Sequence, residues 1–243
     1  MEEKIKVLEQ MVQLSGLSLQ EVVDCWLAQK KVYVKSSKQE CKTENVNQAV
    51  LSINQDFPSE DIRSRTKLHW YAFEGKKFAP NHDAYPNCQG VVGWINPDPN
   101  APEGDRVYIV LPEQIRLKYS QKYHITGAED LYDGRANTKR LLEYGKQHNV
   151  EFPAAELAYN YRKNGVKQGE AFLPAREQLV RVCEHLEELR KSLKKINGKF
   201  AGWLWSSSEH GNNNAWLVSP SNGLMTYNRK SSCIFYVSCF LAY

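Results

Sequence analysis

The chain lacks most signatures by which a sequence announces its chemistry. Nowhere in its 243 residues is there a run approaching the roughly 20 apolar residues of a membrane-spanning helix, so no span is expected. The first residues, MEEKIKVLEQMVQLSG, start acidic and have neither the basic start nor the apolar run of a cleaved secretion signal. The expected location is therefore the cytoplasm, or a phage particle or assembly. The six cysteines, Cys25, Cys41, Cys88, Cys183, Cys233 and Cys239, include no Cys-x-x-Cys pair and no histidine-rich neighbourhood, which speaks against zinc. They read as reduced, mostly buried thiols, and no cofactor or metal is expected. The net charge is only +4, and its basic residues alternate with acidic ones, as in HLEELRKSLKK. No phosphate-tracking stripe results, which argues against nucleic acid. No Gly-x-Ser-x-Gly elbow is present.

What the chain does have is aromatic and β-branched residues in short bursts. Thirteen tyrosines and six tryptophans favour strands and loops over an all-helical bundle. Residues 1–65 stand apart: apolar positions at Ile5, Leu8, Met11, Val12 and Leu14, then Leu19, Val22, Val23, Trp26 and Leu27, predict two helices broken at Gly16, followed by a polar linker. Such helices fit packing on the body or a homo-oligomer contact. From residue 66 the runs KLHWYAF, GVVGWIN and RVYIVLP predict strands, separated by turn-rich stretches. DGRANTKRLLEYGKQHN predicts a capped helix ending near Asn149, FPAAELAYNYRKNG a second reaching Gly165, and residues 175–197 one long helix closed at Gly198. GWLWSSS, AWLVS, GLMTYNR and CIFYVSCFLAY return to strands, with Ser221-Asn222-Gly223 as an Asn-Gly hairpin turn. Strands, helices, then strands again indicate an α+β fold.

Four elements follow one another in a recognisable order. They are Asp133, Gly134, Asn137 and Thr138; Leu173 and Pro174 with Gln178-Leu179; Trp205 to Glu209; and Asn214, Ala215 and Trp216 ahead of Gly223. In this order they resemble the C-type-lectin-like domains of the Lcl C-terminal group, relatives of the formylglycine-generating-enzyme-like fold. The resemblance covers about residues 68–243 and departs from the family at Ser238-Cys239, where an Arg-Pro is usual, and at Glu177, one place early for the family's glutamate. The same module serves as the variable protein of diversity-generating retroelements. There, the resemblance implies, adenine-directed rewriting of codons alters one exposed face while core positions persist.

Aligned to that pattern, the rewritable, ligand-binding set is His210, Asn212, Asn213, Leu217, Ser219, Ser221, Leu224, Thr226, Asn228, Ile234, Phe235 and Ser238. Leu224, Ile234 and Phe235 are its expected apolar anchors. The scaffold set is Asp133, Gly134, Asn137, Leu173, Pro174, Trp205, Glu209, Asn214, Trp216 and Gly223, with both tryptophans in or at the edge of the core and Glu209 holding backbone N–H groups. Ser206, Ser207 and Ser208 read as a solvated loop whose hydroxyls serve turns. The calcium tripeptides of sugar-binding relatives are missing, and residues 205–243 hold one acidic side chain, Glu209, too few for calcium. The expectation is a non-catalytic domain displaying a face to a protein or cell-surface ligand. The alternatives are a formylglycine-generating-type enzyme using Cys233 and Cys239, and a structural subunit of a phage or surface fibre.

Overall fold

The computed structural model describes residues 61–243, the second of two units into which the chain divides, Met1–Glu60 and Asp61–Tyr243. The two N-terminal helices, Cys25 and Cys41 lie outside the described residues. Residues 61–65, read from sequence as the end of a linker, belong to the body: a 3-10 turn at Ile62–Arg65 buries Ile62, and Asp61 caps it through Arg63 N–H at 3.0 Å.

Eight strands form one sheet: β1 (Tyr71–Phe73), β2 (Lys77–Ala79), β3 (Cys88–Ile95), β4 (Val107–Leu117), β5 (Leu204–His210), β6 (Asn214–Val218), β7 (Met225–Arg229) and β8 (Phe235–Ala242). Their order is β2-β1-β3-β4-β8-β5-β6-β7, antiparallel except where β5 meets β8. The last strand therefore sits at the centre and β7 at one edge. Four helices lie between β4 and β5: α1 (Gly134–His148), α2 (Pro153–Tyr159), α3 (Arg176–Cys183) and α4 (Leu186–Lys195). The α+β class stands.

Central strands alternate between two cores, as a period of two demands. Val107, Ile109 and Leu111 face α1 and α2 with Leu141 and Ala154, whereas Tyr108 and Val110 face α3 and α4 with Leu179, Val182, Leu189 and Leu193. Burial on both faces explains why RVYIVLP reads as an unbroken apolar run.

Several boundaries differ from the sequence reading, each for a local reason. β4 continues through Pro112, where β4–β8 register shifts between Val110 and Gln114; the irregularity accommodates a residue with no N–H to give. β2 was not expected, being three residues that begin at Lys77 directly after Lys76. α2 ends at Tyr159, six residues before Gly165. The predicted helix over 175–197 is two, broken at Glu184-His185. Val182 and Leu186 keep their four-residue spacing across the break and bury in the same core, so hydrophobic periodicity does not register it. Asn149 ends α1 with φ 52°, as its place in the sequence suggested.

β3 approaches β4 so closely at Gly90 that a Cβ there would overlap the Val110 carbonyl oxygen. Gly90→Ala is therefore expected to destabilise the domain by about 3 kcal/mol, the upper end for overpacking in a core. Urea denaturation checks this, and a loss below about 0.5 kcal/mol would show that the two strands part freely.

Candidate binding face

The scaffold motifs converge on one buried network. Asp133 caps α1 by accepting from the Ala136 N–H at 2.8 Å, which starts the helix at Gly134. Gly134 is packed against Ala175 N, the Gln178 carboxamide and the Leu173 carbonyl, leaving no space for a Cβ. Gln178 Oε1 accepts from both Gly134 N (3.1 Å) and Ala175 N (2.9 Å), so one side chain joins the starts of α1 and α3. Thr138 Oγ1 accepts from Leu173 N at 3.0 Å, and the Pro174 carbonyl accepts from Ser207 N at 2.8 Å. Asn137 closes the circuit: its Nδ2 donates to the Asp130 carbonyl (2.6 Å) and Ser207 Oγ (3.2 Å).

The stretch WSSSE is therefore not a solvated loop. It is β5, with Ser206, Ser207 and Ser208 fully buried and their hydroxyls spent on the scaffold, Ser208 Oγ donating to the Asp130 carbonyl at 2.7 Å. Trp205 is fully buried; its indole N–H donates to the Leu117 carbonyl at 3.0 Å and Phe235 packs edge-on at 5.1 Å. Only Gly211 to Asn213 form the exposed turn into β6.

Glu209 and Lys230 anchor this turn. Their side chains are wholly buried and meet at 2.6 Å. Glu209 Oε2 accepts from Thr126 N (2.9 Å) and Gly127 N (3.2 Å); the lysine ammonium donates its other protons to the carbonyls of His124 (2.7 Å) and Gly211 (3.1 Å). Every donor of the ammonium is used. Burial pushes the Lys230 pKa down, and the hydrogen bond to Glu209 opposes that shift. Sequence reading missed Lys230, which stands alone between β7 and β8. A signal existed in the burial expected for Glu209, since an ionised carboxylate in a strand requires a cation.

The register of the β6–β7 hairpin sets which side chains face outward. Trp216 pairs with Tyr227, Leu217 with Thr226 and Ala215 with Asn228. Leu217 and Ala215 are buried, so Thr226 and Asn228 share the inward side and are half-buried, while Met225, Tyr227 and Arg229 are exposed. Of the expected residues, Thr226 and Asn228 thus lie on the less exposed side of β7, whereas Leu224, just before the strand, is exposed. Leu217 and Ser238 lie in the core and Ser219 is buried, its hydroxyl paired with Ser221 at 2.9 Å; none of the three belongs to an exposed face. Phe235 is half-buried against Trp205. Asn212, Asn213, Ser221, Leu224 and Ile234 are exposed. The turn carrying Gly223 is four residues long, closed by Gly223 N to the Ser219 carbonyl at 2.9 Å, with only Gly223 at positive φ; it is not a two-residue Asn-Gly turn.

Unlike Trp205, Trp216 is at the edge and not in the core. It is half-buried on the outer side of β6, with the Arg176 guanidinium 4.6 Å above its ring. His210 stacks on Tyr227 at 4.0 Å and 11° and meets Trp216 edge-on at 4.6 Å. Asn214, half-buried, pairs with both His210 and Arg229. The result is an aromatic patch of His210, Trp216 and Tyr227 at the sheet edge, with Arg229 beside it and Arg176, paired with Glu177 at 2.6 Å, over the Trp216 ring. Large rigid rings beside adaptable Asn and Ser are suited to macromolecular contact.

Of the four described cysteines only Cys239 is buried; Cys88, Cys183 and Cys233 are half-buried. Burial pushes the Cys239 thiol up to about 12. Among the described residues no group of three or more His, Cys, Asp or Glu is placed to hold a metal, and no helix is long and apolar enough to cross a membrane.

No protein-family model matches the sequence, and no curated protein is detectably similar to it. The fold is similar to that of a fimbrial protein from Bacteroides ovatus ATCC 8483, with a TM-score of 0.59 at 16% identity. The match covers 73% of this chain and 49% of the fimbrial protein, about half its length. At that identity the likeness is one of fold.

Replacing Lys230 by Met strands the buried Glu209 carboxylate and is expected to cost about 3–5 kcal/mol at pH 7. Adding Glu209→Gln removes the charge and should recover at least about 1 kcal/mol, measured as a double-mutant cycle in urea. A single variant within about 0.5 kcal/mol of the parent would mean that the pair is not formed as described.

Proposed function

We propose that this chain is a non-catalytic subunit of a surface fibre, presenting the His210–Trp216–Tyr227 edge of its sheet to a protein or cell-surface ligand. The observation that carries the reading is the fold likeness to the Bacteroides ovatus fimbrial protein. The face itself supports it: an eight-stranded sheet with buried cores on both sides leaves β7 and its exposed Met225 and Tyr227 for contact.

The enzyme alternative finds little support in Cys239. A thiol nucleophile acts as thiolate, and Cys239 is buried, which pushes its ionisation up and disfavours that form.

Antibodies raised against the chain are expected to decorate filaments on intact, unpermeabilised cells that carry the gene, seen by immunogold electron microscopy. Labelling that appears only after permeabilisation sinks the fibre reading.

A second reading, a variable protein of a diversity-generating retroelement, is favoured by one observation: the motif residues Gly134, Asn137, Thr138, Leu173, Pro174, Gln178 and Trp205 to Glu209 are buried together, while Asn212, Asn213, Ser221, Leu224 and Ile234 of the rewritable set lie outside them at the surface. The two readings are compatible, since a fibre can carry a varied tip. The second requires a near-copy of the last part of the gene, differing at adenines, beside a reverse transcriptase gene; sequencing the flanking DNA and finding neither removes it.

A further inference from the structure

On the side of the domain formed by α1 and α2, away from β7, lies a cleft of about 550 Å³ that the binding face does not use. Its lining is mainly apolar: Leu142 of α1, Ala171 and Phe172, with the ring of Tyr159 as a wall. The wall is held in place. Gly169, at φ 82°, donates its N–H to the Tyr159 carbonyl at 2.9 Å, and a Cβ on it would sit 3.1 Å from the ring, so glycine's conformation and size are both needed for the ring to lie there.

The charged lining is mainly cationic, three basic side chains against one acid. Arg135 lies over the Phe172 ring at 5.0 Å and donates to the Ala242 carbonyl at 3.3 Å, which fixes its guanidinium at the mouth. Lys139 and Lys146 stand one and three turns along α1 from it. The single acid, Glu143, is already paired with Lys139 at 3.8 Å, and neither Arg135 nor Lys146 has an ion-pair partner among the described residues. Thr138 offers the cleft little, because its hydroxyl is engaged with Gly134 and Leu173.

We infer that this cleft is a binding site for a small amphipathic anion, an organic carboxylate whose aliphatic or aromatic body lies on Leu142, Phe172 and Tyr159 and whose charge meets Arg135 and Lys146. The volume is within the usual range for small-molecule sites. An apolar floor under unpaired cations selects against neutral and cationic molecules of the same shape, because only the anion compensates the charge it desolvates. The site is independent of the fibre reading.

Titration calorimetry on the full chain tests it with three probes built on a ten-carbon chain: decanoate, decanol and decyltrimethylammonium. Decanoate is expected to bind saturably at one site, with the other two at least about tenfold weaker. Lys146→Glu, an exposed helix position, should weaken decanoate about tenfold without changing circular dichroism, and adding Lys139→Gln should weaken it further. Leu142→Arg should abolish binding by filling the floor. The inference is overturned if decanoate does not saturate, if the three probes bind alike, or if the Lys146→Glu protein binds decanoate as the parent does.

Discussion

A single buried ion pair holds together the parts of this domain that face outward. Glu209 and Lys230 come from opposite ends of the β5–β6–β7 meander, and between them they satisfy two amides and two carbonyls from the 124–127 segment and the 211 turn. Backbone contacts extend the clamp: the Lys230 carbonyl accepts from Tyr119 N and Ser120 N, and its N–H donates to the Asn213 carbonyl. A buried pair of this kind need not stabilise more than apolar residues of the same shape would. What it does is fix position. Without a counter-charge for Glu209 in one place only, the Gly211–Asn213 turn and the end of β7 would have no defined seat.

That clamp adjoins the network of Asn137, Ser207, Gln178 and Gly134, and together they explain how a surface and a core can be separated within one short meander. Gln178, Asn137, Thr138, Trp205, Ser208 and Glu209 spend polar side-chain atoms on backbone from other elements, none of it at the tips of the 211–213 and 220–223 turns. Asn212, Asn213 and Ser221 make no comparable contribution through their side chains beyond the Ser219–Ser221 hydroxyl pair. Substitution there changes what the face presents, and the buried network does not depend on it.

How much of this was legible in the sequence depended on whether the determining partner was local. Asp133 and Asn149 mark the ends of α1 because caps are set by neighbouring residues, and the β-branched and aromatic runs RVYIVLP and CIFYVSCFLAY marked β4 and β8 as strands. The break between α3 and α4 left no trace, since Val182 and Leu186 obey helical spacing across it. GWLWSSS reads correctly as a strand, yet its serines looked solvated because serine's preference for turns is a local tendency, and burial with distant partners at Asp130, Asn137 and Pro174 overrode it. Lys230 could be anticipated only as some cation for Glu209, one among 32 lysines and arginines.

The alternation of β7 is the most instructive case, because its five residues carry no internal evidence of which side faces out. Met225, Tyr227 and Arg229 on one side, and Thr226 and Asn228 on the other, are each acceptable as surface. The choice is made by β6, where Ala215 and Leu217 are drawn into the core and so carry Asn228 and Thr226 inward with them. It leaves Trp216 on the outside, and the cost of exposing an indole is offset by the Arg176 guanidinium laid across it from the start of α3. The position of that arginine is fixed in turn by Gln178 and Ser208, whose hydroxyl accepts the Arg176 N–H at 3.2 Å. The aromatic edge is thus oriented from the buried network outward: Ala215 and Leu217 turn Trp216 out, the serines settle α3, and α3 lays Arg176 across the indole.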